Sequence, residues 1–565
     1  MSCKIVSLTK KIWDVQEESK TLKISDDLFL TLLKNRGIEK INEFINVSLS
    51  ACLPDPMEFI DMKEAVQRIV KSIVNGEKIT ILGDYDVDGV SSTALFINFF
   101  NHLGNDYSYH IPHRAEEGYG LNIDNIRRYS DSLIIAVDCG SSSKNELQYA
   151  RSQNIDVVVL DHHKMSFVPE AIAIVNPHRP DEKDKYKNLC ASGIVFMCIL
   201  GVHRMLSEIG FYKAKKIKEP DIMEYTDLVA LATVCDVVDL MGLNRAFVSH
   251  GIQMIKRRKN LGIDAMISIN KESEITSDTI AFFFGPRINA AGRIASADVS
   301  LKLLTTQNPI EAKKLAMQLD ELNKERQAIE AQIVEEASDL VDENLKFICS
   351  WSENWHVGVV GIVAGRLKEK YNKPSIIISI DKNGEGKASC RSIAGFDIAD
   401  VINKGIARGI ITSGGGHAMA AGFSVAANKI NELVDFLKVE IEYEVTPHEL
   451  YADCFLPLDS ISMHMMKNIS VIGPFGVGNR HPKFVIPNLK IMSARIVGQN
   501  HIQTILKDNK NNSIKAISFK SVNTVLGDVL LNYRATVDVL GGLSIGEWKG
   551  ERYINLFLED VAKCA

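Results

Sequence analysis

From Lys78 onward the chain alternates short, continuously apolar runs with longer segments whose apolar residues recur every three or four positions. The runs are Ile79-Thr80-Ile81-Leu82, Leu133-Ile134-Ile135-Ala136-Val137, Asp156-Val157-Val158-Val159-Leu160 and Ala171-Ile172-Ala173-Ile174-Val175. Apolar strands separated by helix-length segments predict a parallel α/β sheet covered on both faces. Before them, Leu28, Leu30, Leu32 and Leu33, and then Ala65, Ile69 and Ile73, predict that residues 1–75 form a helical N-terminal segment. Asn308 as N-cap, Pro309 in the first turn and Glu311 three residues after the cap mark the start of a long helix. Leu315, Leu322 and Ile329, interleaved with Leu319, Ile333 and Leu340, carry that helix to residue 342, about 50 Å at 1.5 Å per residue. This is a strut between domains; a coiled-coil seam is the alternative, and Arg326 on the apolar stripe counts against it. Residues 346–445 then form a second α/β piece with three glycine-rich segments, and alternating strands in 446–565 predict a small β-barrel. The expected architecture is therefore α/β, with a parallel-sheet domain at 76–305, a connecting helix at 306–345, and the α/β and barrel pieces following.

Composition narrows this little. Of 565 residues, 46% are apolar and 24% charged, a globular balance that excludes wholesale disorder and a fibrous repeat. The apolar stretch around Leu228 to Val238 is broken well short of a membrane span, so no membrane association is expected. The first residues hold no signal-like apolar core, so the cytoplasm is the expected compartment. Ten scattered cysteines without a Cys-x-x-Cys pair read as reduced thiols. A net charge of −6 means that any contact with nucleic acid must use local basic surface.

The chemistry lies where the apolar runs end. The first leads into Gly83-Asp84-Tyr85-Asp86-Val87-Asp88-Gly89, whose three alternating carboxylates repel one another unless a cation neutralises them. A calcium loop would need its glycine mid-loop and a distal glutamate, which are missing. The second run ends in Asp138-Cys139-Gly140 and the third in Asp161-His162-His163. In an open parallel sheet these ends share one crevice. Asp236, inside Ala232-Thr233-Val234-Cys235-Asp236, is a carboxylate in an apolar run that needs a partner. Imidazole and carboxylate donors without thiolate suit Mn²⁺ or Mg²⁺ rather than structural zinc, and there are enough for two ions. Two adjacent ions imply metal-assisted phosphoryl cleavage.

In order and spacing, Asp84-Tyr85-Asp86-Val87-Asp88-Gly89, Asp138-Cys139-Gly140, Asp161-His162-His163 and Ala232-Thr233-Val234-Cys235-Asp236 resemble the four motifs of the DHH phosphoesterase superfamily. Gly285-Pro286-Arg287-Ile288-Asn289-Ala290-Ala291-Gly292-Arg293, Trp355-His356-Val357-Gly358, Gly414-Gly415-Gly416-His417 and Pro474-Phe475-Gly476-Val477-Gly478-Asn479 resemble the RecJ family of single-strand-DNA exonucleases within it. The resemblance spans nearly the whole chain, with Cys139, Cys390 and Asp239 as departures that remove no ligand. It implies a DHH domain, a connecting helix, a DHHA1 domain facing the metal edge, and a C-terminal OB-fold. It implies metal ligation by Asp86, Asp88, Asp138, His162 and Asp236, with Asp84 as ligand or orienter, and a catalytic role for His163 with Asp161. Substrate-binding residues would be Arg114, Arg287, Arg293, Ser389, Arg391 and His417, although Arg287 and Arg293 could instead pair with carboxylates of the strut.

The tail mixes Phe519, Trp548, Tyr553 and Phe557 with Lys507, Lys515, Lys520, Lys549 and Arg552, a composition suited to stacking bases and holding phosphates. No Gly-x-x-x-x-Gly-Lys-Ser/Thr segment exists, so no nucleotide cofactor is expected. The resemblance implies a monomer acting on single-stranded DNA in repair and recombination, releasing 5′ mononucleotides in the 5′→3′ direction, with a helicase and a single-strand-binding protein as further partners. Two alternatives are a DHH phosphodiesterase for short oligonucleotides or cyclic dinucleotides, and a non-catalytic DNA-binding relative. The complete acidic set argues against the latter.

Overall fold

The computed structural model describes residues 3–17, 26–114, 116–270, 274–444, 448–533, 535–548 and 550–564. It divides into two compact units, one of residues 1–47, 240–242 and 445–565, the other of residues 48–239 and 243–444.

The chain opens with two antiparallel strands, β1 (Cys3–Val6) and β2 (Ile12–Glu17), followed by the helix Asp26–Asn35. Residues 1–75, expected to be one helical segment, thus contain two strands and are shared between the units. The alternation that buries Trp13 and Val15 is too short to announce itself, because the partner strand lies at the other end of the chain.

The second unit begins with helices and then forms the parallel sheet. Its strands are β3 (Ile79–Leu82), β4 (Tyr107–His110), β5 (Leu133–Val137), β6 (Val157–Leu160) and β7 (Ala173–Val175), in spatial order β4-β3-β5-β6-β7. All four pairings are parallel, and β3, β5, β6 and β7 are wholly buried, as continuously apolar strands between helical layers must be. One covering helix, Ala191–Glu208, is long and apolar enough to cross a membrane. Here most of its residues are buried against the helices Met62–Asn75, Val87–Leu103 and Thr226–Cys235.

The long helix runs from Pro309 to Asp339, with Asn308 accepting hydrogen bonds from the amides of Ile310 and Glu311. Its buried face, including Leu315, Leu319, Arg326 and Ile333, packs on the helices Leu261–Ile269, Gly285–Ile294 and Val360–Tyr371. That face is used inside the chain, as a strut requires. Arg326, unexpected on an apolar stripe, bonds to Asn323 and Glu330, and Glu330 also accepts from Arg366 at 2.9 Å.

Beyond the strut, β8 (Ile348–Ser352), β9 (Ser375–Ile380), β10 (Glu385–Arg391), β11 (Ser413–His417) and β12 (Ala420–Ala426) form a mixed sheet in the order β11-β12-β10-β9-β8. The first unit resumes with β13 (Glu449–Phe455), which pairs in parallel with β2. Then β14 (Lys483–Val497), β15 (His501–Lys507), β16 (Ser513–Ser518), β17 (Thr536–Trp548) and β18 (Glu551–Lys563) pair in the cycle β14-β15-β16-β18-β17-β14, which closes a five-stranded barrel. On it, the rings of His501, Phe519 and Phe557 follow one another at 5.2 and 5.4 Å between centroids, and Lys515 lies 5.8 Å from the Tyr553 ring. A cavity of about 400 Å³ beside Arg495, Gln503, Ile505 and Lys515 opens on the barrel. Lys549 and the side chain of Trp548 lie outside the described residues.

Candidate metal centre

Because β3, β5 and β6 are parallel neighbours, the residues following them meet at one edge of the sheet. After β3 the chain turns tightly into the helix Val87–Leu103, and the turn depends on glycine. A Cβ on Gly89 would lie 2.5 Å from the Asp84 carbonyl oxygen, with no room to relax against backbone. Asp86 caps this helix, its Oδ1 accepting from the amides of Asp88 at 2.8 Å and Gly89 at 3.1 Å. Asp88 in the first turn is fully buried and accepts from the amides of Ala191 at 2.6 Å and Ser192 at 2.8 Å. The same carboxylate therefore anchors the apolar helix Ala191–Glu208 and faces the crevice.

After β5, Asp138 takes a φ of 59°, a left-handed conformation that costs an L-residue roughly 1–2 kcal/mol. After β6, the buried Asp161 accepts from the amides of His162 and His163, from His163 Nδ1 at 2.8 Å and from the Ser141 amide at 3.0 Å. His162 Nε2 then stands 3.4 Å from Asp138 Oδ1 and 3.7 Å from both Asp88 Oδ2 and Asp236 Oδ2. Asp236 comes from the C-terminal end of the helix Thr226–Cys235, where a carboxylate meets the negative end of the helix dipole.

Three overlapping donor sets result: Asp84, Asp86 and Asp138; Asp88, His162 and Asp236; and Asp138, His162 and His163. Their electrostatics ask for a cation. Asp84 and Asp138 are pushed well above the usual carboxylate range, first by burial and then by neighbouring carboxylates, Asp86 for the former and Asp88, Asp86 and Asp84 for the latter. Burial, Asp88 and Asp86 push Asp236 up to about 8. Asp84 Oδ1 and Asp138 Oδ1 are buried without a hydrogen-bond partner, and leaving a buried carboxylate oxygen unpaired is costly. Oxygen and imidazole donors crowd these atoms, while the Cys139 thiol is turned away toward the Leu82 carbonyl. Such a set fits Mn²⁺ or Mg²⁺.

Asp161 differs from the other acids. Although burial opposes its charge, the hydrogen bond and charge of His163 hold its pKa below the ordinary value. Conversely, His163 is raised to about 9: burial works against the imidazolium, but the Asp161 bond and charge outweigh it. Asp161, expected to act with His163, is buried and holds His163 Nδ1 while its oxygens also accept from backbone amides. Sequence reasoning missed Tyr119, whose hydroxyl lies 3.0 Å from both the Asp138 carbonyl oxygen and His163 Nδ1. Its only signal was its place in the glycine-flanked loop after Arg114.

The expected substrate-binding residues separate into two groups. Arg114 stacks on Tyr85, 4.9 Å from the ring centre. Arg293 is half-buried, its pKa lowered to about 10 by desolvation and by Arg114 and Arg326, and it donates to the Gly358 carbonyl at 3.1 Å. Burial and Arg114 also lower Arg391, which donates to Ser389 Oγ at 3.3 Å. Arginines that disfavour one another's charge form a place for an anion. The register Arg391–Ala420–His417 across β10, β12 and β11 puts His417 on the same face of the sheet as Arg391 and Ser389, about 10 Å away at two strand spacings. Arg287 differs: it pairs with Asp320 of the strut at 2.8 Å and lies on the Phe283 ring at 3.6 Å, which is the strut pairing expected as the alternative to a substrate contact.

Comparison with known proteins agrees with this geometry. Residues 78–233 match the DHH family N-terminal domain, residues 344–442 the DHHA1 domain and residues 452–560 the RecJ OB domain. The chain is 31% identical to the single-stranded-DNA-specific exonuclease RecJ of Bacillus subtilis, over 98% of this chain and 71% of that protein. It is 30% identical to the protein of that name from Salmonella typhimurium, over 97% and 98% of the two chains. Among solved structures, RecJ from Thermus thermophilus in complex with Mn²⁺ superposes with a TM-score of 0.81 at 26% identity, over 95% of this chain and 76% of that one. An exonuclease RecJ bound to manganese superposes at 0.59 and 29% identity, over 69% and 96%. With its acidic edge complete and its identity to these relatives extending over nearly its full length, the chain belongs to the RecJ family of single-stranded-DNA-specific exonucleases, metal-dependent hydrolases of the DHH class.

Proposed function

We propose that this protein degrades single-stranded DNA from its 5′ end, releasing 5′ mononucleotides by two-metal hydrolysis, and that it serves DNA repair and recombination. The observation that carries the reading is the pair of orphaned carboxylate oxygens in a three-set donor cluster, with an arginine cluster in the same unit. Asp84, Asp86 and Asp138 would hold one ion, and Asp88, His162 and Asp236 the other. The ions supply an activated water and charge neutralisation at the phosphate.

The side chains do the rest. Asp161 keeps His163 protonated near neutral pH, so that the imidazolium can polarise the scissile phosphate or give its proton to the departing 3′ oxygen. Arg391 and Ser389, with Arg114, would take the terminal 5′ phosphate through charge-assisted hydrogen bonds. Breaking the P–O3′ bond of the first nucleotide leaves a 5′ phosphate on the remaining strand, so each turnover regenerates the end that this pocket recognises. The exposed Phe519 and Phe557 with Lys515 on the barrel favour a polymer over a dinucleotide as substrate. The test is digestion of one oligonucleotide labelled at either end with Mn²⁺, Mg²⁺ or chelator. Release of 5′ label first, only with metal, is expected; 3′ label first would overturn the direction.

A further inference from the structure

The residues of a parallel-sheet edge are brought together by their strands, and the ladder ends here with the Asp138 amide on the Leu160 carbonyl at 3.0 Å and the Asp161 amide on the Val175 carbonyl at 3.1 Å, so that the residues beyond these leave it. Something must hold the loops in register if ligands from different loops are to meet at one point. In this protein a buried side-chain amide links two of these loops. Asn176 directly follows β7, next to β6, and is 1% exposed. Its Nδ2 donates to Ser141 Oγ at 2.6 Å, in the loop that carries Asp138, and to the His163 carbonyl at 2.9 Å, in the loop that carries Asp161, His162 and His163. Its Oδ1 accepts from the His178 amide at 2.8 Å, which fixes the amide's orientation. Ser141 passes the connection on, since its own amide donates to Asp161 Oδ2 at 3.0 Å, and Asp161 in turn holds His163 Nδ1 at 2.8 Å.

We infer that Asn176 is a positioning residue for the metal centre: it ties the Asp138 loop to the His162-His163 loop and thereby sets the spacing of the ligands that both supply. The chemistry explains the residue type. The site needs two donors on one side and one acceptor on the other, at a distance that the short Asn side chain spans. Asp lacks the donors, and Ala leaves Ser141 and the His163 carbonyl without their buried partner. The opposite side of the same loop is braced independently, because Arg179 bonds to the Ile174 carbonyl at 2.8 Å and pairs with Asp61 and Asp181. Loss of Asn176 therefore loosens the centre rather than the strand. Partners one step removed from a metal typically contribute ten- to a hundredfold to affinity or turnover.

The inference rests on the metal reading of this edge, and the test separates the two. Mn²⁺ binding is measured on the full-length protein without DNA, by the decrease of the free-ion resonance in electron paramagnetic titration, alongside kcat and KM on a single-stranded oligonucleotide. Asp138→Ala tests the metal reading itself. Thr80→Val is the stability control, since it breaks a partly buried hydrogen bond between the Thr80 and Ser132 hydroxyls, 2.8 Å long, at the far end of the same sheet. Asn176→Ala is expected to weaken Mn²⁺ binding about tenfold or more and to lower kcat by a similar factor, with KM for DNA within about threefold. If that variant does not fold, Asn176→Asp keeps the volume and the contact to His178, removes the donor to the His163 carbonyl, and should show the same pattern. Wild-type Mn²⁺ binding and kcat in the Asn176 variants, or losses no greater than those of Thr80→Val at equal thermal stability, would overturn the inference. Mn²⁺ binding undiminished in Asp138→Ala would instead overturn the metal reading on which it stands.

Discussion

Asp236→Asn exposes the energetics of the acidic edge most directly. In the metal-free protein Asp236 titrates near 8, against an ordinary 3.8, because it is buried beside Asp88 and Asp86. Between those pH values the folded protein holds a proton that the unfolded chain has released, so this residue makes stability fall as pH rises from about 4 to about 8, after which the cost is constant. Roughly 4 pH units at ~1.4 kcal/mol each set a ceiling near 6 kcal/mol. Partial exposure of the side chain and water entering the crevice bring the measurable part to roughly 2–3 kcal/mol. In chelator, Asn at this position should therefore stabilise the protein at pH 8.5 and leave it near wild type at pH 4.5. Mn²⁺ should reverse the ranking, because an ion that binds only the folded state adds RT ln(1 + [Mn²⁺]/Kd) to the wild type and far less to a variant that has lost a ligand. Denaturant unfolding at both pH values, with chelator or Mn²⁺, reads all four quantities, and hydrolysis should be abolished throughout. A variant equally destabilised at both pH values, or stabilised by Mn²⁺ as much as the wild type, would refute the account of the site as a cluster strained by its own charge.

Arg391→Ala should lower the preference for 5′-phosphorylated over 5′-hydroxyl strands by about tenfold to a hundredfold, the value of one charge-assisted hydrogen bond; initial rates on the two substrates check it, and an equal loss on both would assign Arg391 to folding. Arg287→Ala should lower the melting temperature while leaving KM for DNA within twofold, since the structure commits this side chain to Asp320 and Phe283; a large rise in KM at unchanged stability would restore its expected contact with substrate. Phe519→Ala should weaken binding to long single strands by roughly 1–3 kcal/mol through lost base stacking, and Lys515→Ala should make the salt dependence shallower by about one ion; anisotropy titrations at several salt concentrations would show neither change if the barrel did not bind DNA.

Much of the chemistry was legible in the linear order of residues, because three of the four acidic motifs directly follow apolar strands and the covalent chain alone requires a carboxylate there to stand at a strand end, whereas Asp236 ends a helix. The long helix was legible for the same local reason: Asn308, Pro309 and Glu311 announce its start, and its apolar period runs on to the end. Other properties depend on pairings between distant segments that no local period encodes. β2 is a strand because β13 lies beside it, and Asp88 caps a helix more than a hundred residues further on. Asp161 looks like its neighbours in sequence, yet its bonds to Ser141 and His163 make it an orienter, whereas Asp138, equally buried, is left with an oxygen that accepts no hydrogen bond. Arg287 and Arg293 sit six residues apart on one helix, and only the packed strut separates the one held by Asp320 from the one whose charge other arginines disfavour. Residue type and spacing decided which groups could bind a metal or a phosphate. Burial and the remaining hydrogen-bond partners, which exist only once the chain has folded, decided which groups were already satisfied and which were left to bind.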